Sequence, residues 1–146
     1  MAIATSSPAL AVERLNAAWQ AEMEAEAIYV RLAARETDRG RAALFEHIAA
    51  SEITHRRWIE RRLRALGEIP PSAAEFWLSL WTRLSVRWAP RDQVVARMEA
   101  CEEKGINEFF EPTTGDRATD EILRAIRDDE KEHSRQLRQL RTHVSP

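Results

Sequence analysis

The chain contains two copies of a Glu-x-x-His pattern, Glu52 to His55 and Glu130 to His133. Residues three apart on an α-helix point to the same side, so each copy presents a carboxylate beside an imidazole. Both groups are ligands for divalent transition metals. The neighbouring positions on each helical face are apolar, so both copies are expected to face a core. Together they predict a dinuclear metal site inside a bundle of helices.

Two further glutamates extend this pattern into a repeat. Glu22 precedes Glu52 by 30 residues and Glu99 precedes Glu130 by 31, so each half of the chain supplies one Glu and then Glu-x-x-His. Isolated carboxylates in a core would each suffer a desolvation cost of several kcal/mol unless a cation compensates them. Two divalent cations would neutralise the four carboxylates. One imidazole per metal in a carboxylate-rich site favours iron, with manganese as the alternative, over structural zinc.

The elements that must position these ligands are predicted to be helices. Only four Gly and six Pro interrupt long runs rich in Ala, Leu, Glu and Arg, which indicates an all-α fold with four long helices. The expected helices run from Ser7-Pro8 to about Arg35, from about Arg41 to Leu66, from after Pro90 to before Pro112, and from about Thr119 onward. Their inward stripes are Leu15, Trp19, Glu22, Glu26, Tyr29 and Ala33; Phe45, Ile48, Glu52, His55, Ile59 and Leu63; Val95, Glu99, Glu102, Ile106 and Phe109; and Ile122, Ile126, Glu130, His133, Leu137, Leu140 and Val144. His47 and His143 lack the pattern and are expected at the surface.

A crossover segment, residues 68–90, joins the second long helix to the third. It is expected to carry a short amphipathic helix, and it is long enough to bring the next helix parallel to the second. Its apolar residues at helical spacing are Phe76, Trp77, Leu80, Trp81, Leu84 and Trp88. The tryptophans could cap the end of the bundle, form a dimer interface or lie on a membrane surface.

Composition limits the remaining classes. A chain of 146 residues with 44% hydrophobic content fits one domain, 1–146. Its net charge of −2 argues against a nucleic-acid partner. Cys101 is the only cysteine, which excludes an internal disulfide framework and fits a reducing cytoplasm. No run approaches the roughly 20 apolar residues needed to span a bilayer, and the first residues do not read as an export signal, so a soluble cytoplasmic protein is expected.

The sequence resembles the ferritin-like diiron carboxylate proteins, and within them the rubrerythrin-like group. The resemblance covers nearly the whole chain. Its motifs are Glu22 with Tyr29, Glu52-x-x-His55, Glu99-x-x-Glu102 and Glu130-x-x-His133. The run from Pro70-Pro71 through Trp77, Trp81 and Trp88 to Glu102 is similar to the rubrerythrin-like cytoplasmic domain attached to vacuolar-iron-transporter-type membrane domains. The resemblance implies a ferritin-like four-helix bundle that holds two iron ions.

It also implies roles for the individual residues. Glu52 and Glu130 would bridge the two metals, and His55 and His133 would bind one metal each. The remaining implied ligands are Glu22 and Glu99 as terminal carboxylates and Glu102 as an additional ligand, bound in one oxidation state. Tyr29 would hydrogen-bond a ligand carboxylate or donate an electron, and Glu26 would support the ligands in a similar way.

Interpretations without a metal-binding role stay open for several of these residues. Glu22 and Glu26 could belong to a solvated helix face, and the two Glu-x-x-His pairs could be accidental. Glu102 could be a surface residue, because the inward stripe of its helix could pass through the adjacent Glu103 instead. Tyr29 could be a simple core aromatic.

Three functions therefore compete. The first is a diiron protein that oxidises ferrous iron with oxygen or hydrogen peroxide, as a ferroxidase or peroxidase in iron homeostasis and oxidative-stress defence. The second is an iron-sensing or iron-delivery module, and the third is a metal-free helical interaction protein. A homodimer is expected, and the Trp77–Trp88 segment could meet a transporter's membrane domain at the inner face of a membrane. No four-cysteine electron-donor domain or fifth C-terminal helix is evident, and nothing in the sequence marks an organic substrate pocket.

Overall fold

The computed structural model describes residues 7–142, which form five α-helices and no strand. The helices are α1 (Ser7–Arg35), α2 (Arg39–Ala65), α3 (Leu80–Trp88), α4 (Arg91–Lys104) and α5 (Arg117–Thr142). A 3-10 turn, Ala73–Glu75, lies in the crossover, and a π-helical turn, Gly105–Phe109, follows α4. The all-α prediction is confirmed. None of these described helices is long and apolar enough to cross a membrane. Val144 and His143 lie outside the described residues.

The four long helices pair as α1 with α2 and α4 with α5, and α2 also contacts α5. Their inward faces form two apolar clusters at different levels of the bundle. The first cluster includes Tyr29, Phe45, Ile48, Met98 and Leu137. The second includes Leu15, Trp19, Ile59, Leu63, Leu123 and Ile126. On α2 and α5, the Glu-x-x-His pairs fall between the positions that contribute to the two clusters.

The ends of α2 follow from local hydrogen bonding. The Asp38 carboxylate accepts a hydrogen bond from the Arg41 backbone N–H at 2.9 Å, so the helix begins at Arg39, two residues before the expected start. At the other end, Gly67 adopts φ 84°, and the Glu68 N–H donates to the Leu63 carbonyl at 3.0 Å. This left-handed glycine closes the helix as the sequence predicted.

The third long helix differs from the prediction, because α4 ends at Lys104 and the chain widens into the π turn. The Phe110 N–H donates to the Gly105 carbonyl at 3.0 Å, and the Phe110 ring packs against Gly105. A β-carbon at Gly105 would lie 2.8 Å from the Phe110 ring, so this packing needs glycine. Phe110 is consequently buried, whereas Ile106 and Phe109, expected on the inward stripe, are only half-buried.

The crossover helix is shorter than the expected span. It begins at Leu80, because the Ser79 hydroxyl accepts a hydrogen bond from the Thr82 N–H at 3.1 Å. Its other end is held to α1, since the Arg35 guanidinium donates to the Ala89 carbonyl at 2.6 Å. The outer side chains define the crossover surface: Trp77, Leu80, Trp81 and Trp88, which are 79%, 60%, 80% and 67% exposed. These exposed rings do not cap the bundle, so that interpretation is wrong.

We expect Asp116 to stabilise the start of α5 and its contact with α2. Its carboxylate accepts hydrogen bonds from the Thr119 N–H at 3.0 Å and from Arg62 Nη2 at 2.8 Å. Replacing Asp116 with Ala should lower the free energy of unfolding by about 1–2 kcal/mol at pH 7, measured by urea denaturation. Asp116→Asn should lose less, and Asp128→Ala, at an exposed position of the same helix, should change little.

The contribution of the Asp116 carboxylate to the free energy of unfolding should depend on pH. The Thr119 hydroxyl, together with Arg62, lowers the pKa of Asp116. The stabilisation is therefore present above the unfolded pKa of about 3.9 and is lost as the pH falls through the lower folded value. An Asp116→Ala cost that stays unchanged on acidification to pH 2 would contradict this role.

Candidate metal centre

Six buried side chains from four helices converge between the two apolar clusters. The helix α1 supplies Glu22, α4 supplies Glu102, and α2 and α5 each supply a Glu-x-x-His pair. All six are at most 4% exposed. The complete set is Glu22, Glu52, His55, Glu102, Glu130 and His133.

These side chains form two overlapping groups of candidate metal ligands. Within each group, the ligand atoms all lie within 4.8 Å of one another. One group contains Glu22, Glu52, His55 and Glu130. The other contains Glu52, Glu102, Glu130 and His133. Because Glu52 and Glu130 belong to both groups, each could bridge two ions.

The distances in the two groups repeat with an approximate twofold relation. His55 Nδ1 lies 3.3 Å from Glu130 Oε1, and His133 Nδ1 lies 3.3 Å from Glu52 Oε1. Within each Glu-x-x-His pair, the imidazole Nδ1 lies 3.7 Å from the carboxylate of its own helix. The repeat that the sequence indicated is therefore present in the geometry, and both imidazoles point Nδ1 at the shared carboxylates.

Glu99 does not join the centre, which corrects the predicted ligand set. Its carboxylate lies 2.9 Å from Arg138 Nε and 2.8 Å from Arg141 Nη2, both on α5. These guanidinium groups compensate the buried charge of Glu99 away from the other carboxylates. Glu102, one turn later on α4, belongs to one of the two groups of candidate ligands, whereas Glu99 belongs to neither.

Tyr29 links α1 to this terminal carboxylate. Its side chain is fully buried, and its hydroxyl donates a hydrogen bond to Glu102 Oε1. Burial, together with the nearby charge of Glu52, raises the pKa of Tyr29 well above its usual value, so the phenol keeps its proton. Glu26, by contrast, is only half-buried and lies 3.5 Å from Arg56, outside both ligand groups.

Asp129 is a residue that sequence reasoning missed. Its carboxylate lies 2.8 Å from His55 Nε2, so it can accept the ring proton and leave Nδ1 free to face the centre. Asp129 is half exposed and precedes Glu130 in an acidic run, which made it look like a surface residue. Within residues 7–142, no matching carboxylate meets Nε2 of His133.

The hydrogen-bond inventory fits metal ions at this position. Several buried atoms at the centre make no hydrogen bond of acceptable geometry within the described residues. They are both carboxylate oxygens of Glu22, Oε1 of Glu52 and of Glu130, and Nδ1 of His55 and of His133. A buried polar atom left unsatisfied costs about 1–3 kcal/mol. If two cations were bound here, all of these oxygen and nitrogen atoms would be satisfied as metal ligands. Dinuclear carboxylate sites in helical bundles use the same ligand set, in which two helices each supply a Glu and two each supply a Glu-x-x-His pair.

The carboxylates and imidazoles of the centre shift one another's pKa values. Burial and the Glu52 carboxylate raise the pKa of Glu22 well above its usual value. Burial opposes the charge on Glu52, but the adjacent side chains of Glu22, His133 and His55 outweigh it and lower its pKa to about 2. Burial likewise opposes the charge on His133, yet Glu130 and Glu52 raise its pKa to about 9. The carboxylates Glu130, Glu22 and Glu52 also raise the pKa of His55 strongly.

Comparison with known proteins identifies the family and the fold. The family model for rubrerythrin matches residues 13–141. Among solved structures, a similar chain is a dodecameric thioferritin, the bacterioferritin-related protein from Bacteroides fragilis. It is 23% identical, with a TM-score of 0.71 over 92% of this chain and 85% of that chain, and so shares the ferritin-like helical fold. No curated protein sequence matches this chain.

We expect metal binding to release protons. Below about pH 9, His133 carries a proton in the metal-free protein, and a bound cation must displace it. The apparent affinity for a divalent cation should therefore fall as the pH falls from 9 towards 6. Titration with Mn²⁺ in weakly buffered solution measures the released protons directly. Binding without proton release at pH 7 would contradict the protonated centre.

The corrected ligand set is tested by conservative amide variants. We expect Glu102→Gln to lose one of two bound metals, because it removes a terminal carboxylate from one group only. Glu52→Gln should weaken the binding of both ions, whereas the matched control Glu99→Gln should keep both ions bound. Metal content after anaerobic loading and gel filtration gives the stoichiometry. Loss of metal in Glu99→Gln with full retention in Glu102→Gln would restore the assignment expected from the sequence.

Proposed function

We propose that this chain, which belongs to the rubrerythrin family, binds two ferrous ions at the candidate centre and oxidises them with oxygen or hydrogen peroxide. The observation that carries the proposal is the set of buried, unsatisfied oxygen and nitrogen atoms in two overlapping groups. Four carboxylates balance the charge of two divalent cations. Carboxylate-rich ligands with one imidazole per metal suit iron, and manganese is the alternative.

Each residue has a role that follows from its position. Glu52 and Glu130 would bridge the two ions, and Glu22 and Glu102 would be terminal ligands. Bound ferrous ions supply one electron each to an oxidant. Since carboxylates can bind one ion or two, the bridging glutamates can adjust as the charge on the metals changes.

The residues around the ligands control protons and orientation. Tyr29 holds Glu102 through its hydroxyl, and Asp129 holds His55 through Nε2. Both contacts fix a ligand side chain before metal arrives, which reduces the ordering needed on binding. The two apolar clusters exclude water from the levels above and below the centre, which strengthens the electrostatic interactions of the ligands that face them.

A second candidate, an iron-sensing or iron-delivery module, is favoured by the crossover surface. Four large apolar side chains exposed together on one short segment are unusual for a surface that contacts only water. They would give a partner a place to dock, either a second copy in a homodimer or a transporter's membrane domain. These partners, and a location in the cytoplasm or at the inner face of a membrane, remain predictions. Rapid turnover would favour the oxidase, and tight binding with slow oxidation would favour delivery.

The proposal predicts stoichiometric and reactive iron. The wild type, loaded with ferrous ion without oxygen, should hold two irons per chain and oxidise them quickly when peroxide or air is added. Tyr29→Phe should bind iron but oxidise it about 10–100-fold more slowly, because Glu102 loses its hydrogen bond. Stopped-flow absorbance after mixing with oxidant measures the rate.

The control for this experiment is Phe45→Tyr, which changes a buried ring near Tyr29 without touching a candidate ligand. A double variant, Glu52→Ala with Glu130→Ala, should bind no stoichiometric iron. Absence of bound iron in the folded wild type would remove both the oxidase and the delivery function and leave a helical interaction protein.

A further inference from the structure

A cavity of about 480 Å³ lies between α1 and α4 and reaches the candidate centre. Four buried carboxylates line it: Glu22, Glu52, Glu102 and Glu130. Neither histidine ligand lines it. Exposed polar side chains, including Gln20 and Lys104, also border the cavity and mark its opening to solvent.

The walls between the opening and the carboxylates are largely apolar. On α1, Ala17, Ala21 and Ala25 are spaced by four residues and therefore share one helical face. On the other side, Met98 and Phe110 line the space. The short alanine side chains leave the gap open between the two helices.

The cavity has a buried carboxylate, that of Glu22, at its inner end. Glu22 is 1% exposed, and neither of its carboxylate oxygens makes a hydrogen bond of acceptable geometry within residues 7–142. Its Oε1 lies 3.3 Å from His55 Nδ1. A ligand entering the cavity would thus meet an apolar wall first and the metal-binding carboxylates last.

The volume includes the space between the carboxylates where the proposed ions would bind, and it is still larger than small oxidants need. Dioxygen and hydrogen peroxide are comparable in size with water, which occupies about 30 Å³ in the liquid. The cavity instead falls within the range of small-molecule sites, about 300–1,000 Å³, which are mostly apolar with a few polar groups. No sequence pattern predicts this pocket, because its walls come from helices that are distant in the chain.

We infer that the cavity binds organic hydroperoxides, with the apolar group against Ala21 and Met98 and the peroxide group at the buried carboxylates. This rests on the proposed function, since the two ferrous ions are the reductant. The O–O bond of the hydroperoxide breaks with one electron from each ferrous ion and two protons from solvent. The products are an alcohol, water and two ferric ions.

The test compares a bulky and a small oxidant in wild type and in a variant with a narrowed cavity. Ala21→Phe places a ring in the cavity without changing any candidate ligand. With ferrous-loaded protein, it should slow oxidation by cumene hydroperoxide by about tenfold or more and oxidation by hydrogen peroxide much less. Ala100→Phe, an exposed position on α4, is the matched control and should affect neither oxidant.

A second readout does not depend on iron. The product alcohol of cumene hydroperoxide, 2-phenyl-2-propanol, should bind the metal-free protein in saturation-transfer NMR. Binding should be lost in Ala21→Phe and kept in Ala100→Phe. Ala17→Leu, a smaller change in the same wall, should weaken binding and replaces Ala21→Phe if circular dichroism shows that the larger ring prevents folding.

The outcomes separate this inference from the proposed function. If hydrogen peroxide oxidises the bound iron but the alcohol does not bind and Ala21→Phe slows both oxidants equally, the hydroperoxide site is wrong and the oxidase stands. If the alcohol binds as expected but neither oxidant reacts with bound iron, the proposed function fails and takes the hydroperoxide reaction with it. Selective slowing of cumene hydroperoxide together with alcohol binding supports the inference.

Discussion

The structure depends on the cost of placing four carboxylates and two imidazoles in the middle of a helical core. Without cations, these groups must share protons, and the opposite pKa shifts of Glu22 and Glu52 express that sharing. Such an arrangement is tolerable only if the surrounding packing holds the helices together at this level. The apolar clusters that flank the centre supply this packing, with side chains such as Ile48 and Ile59 fully buried on α2. The packing thus holds the six candidate ligands close together.

Sequence periodicity predicted the part of the centre that lies on α2 and α5. In each of these helices, the ligand pair continues an apolar stripe, and the expected inward residues of α2 are all buried. On α4, periodicity placed both Glu99 and Glu102 on the inward stripe, and both are buried, but it does not show which of them faces the centre. The choice between them is made by two arginines near the end of α5, which neutralise Glu99. A contact between residues about 40 positions apart cannot be read from the spacing within one helix.

The remaining differences have the same origin in tertiary packing. The widened turn after α4 depends on the Phe110 ring filling the space above Gly105, which no local propensity indicates. In the crossover, by contrast, the local pattern was recognised but its orientation was not. An amphipathic pattern shows only that two faces differ and not which residues the bundle covers. In the structure Leu78 and Val86 are buried while Trp77 and Trp81 face outward, so the larger apolar face is the exposed one.

The centre has two unlike sides despite its approximate twofold repeat. On the side of α2 and α5, the two imidazole rings stack with centroids 6.2 Å apart, and Asp129 holds one of them from outside. On the side of α1 and α4, the cavity reaches the carboxylates, and none of its lining residues is a histidine. In the proposed function, the imidazole ligands would therefore lie on the closely packed side, and the carboxylates that change their binding mode would lie on the accessible side. Under the same proposal, an oxidant entering along α1 would approach the bound ions from the side of the carboxylates.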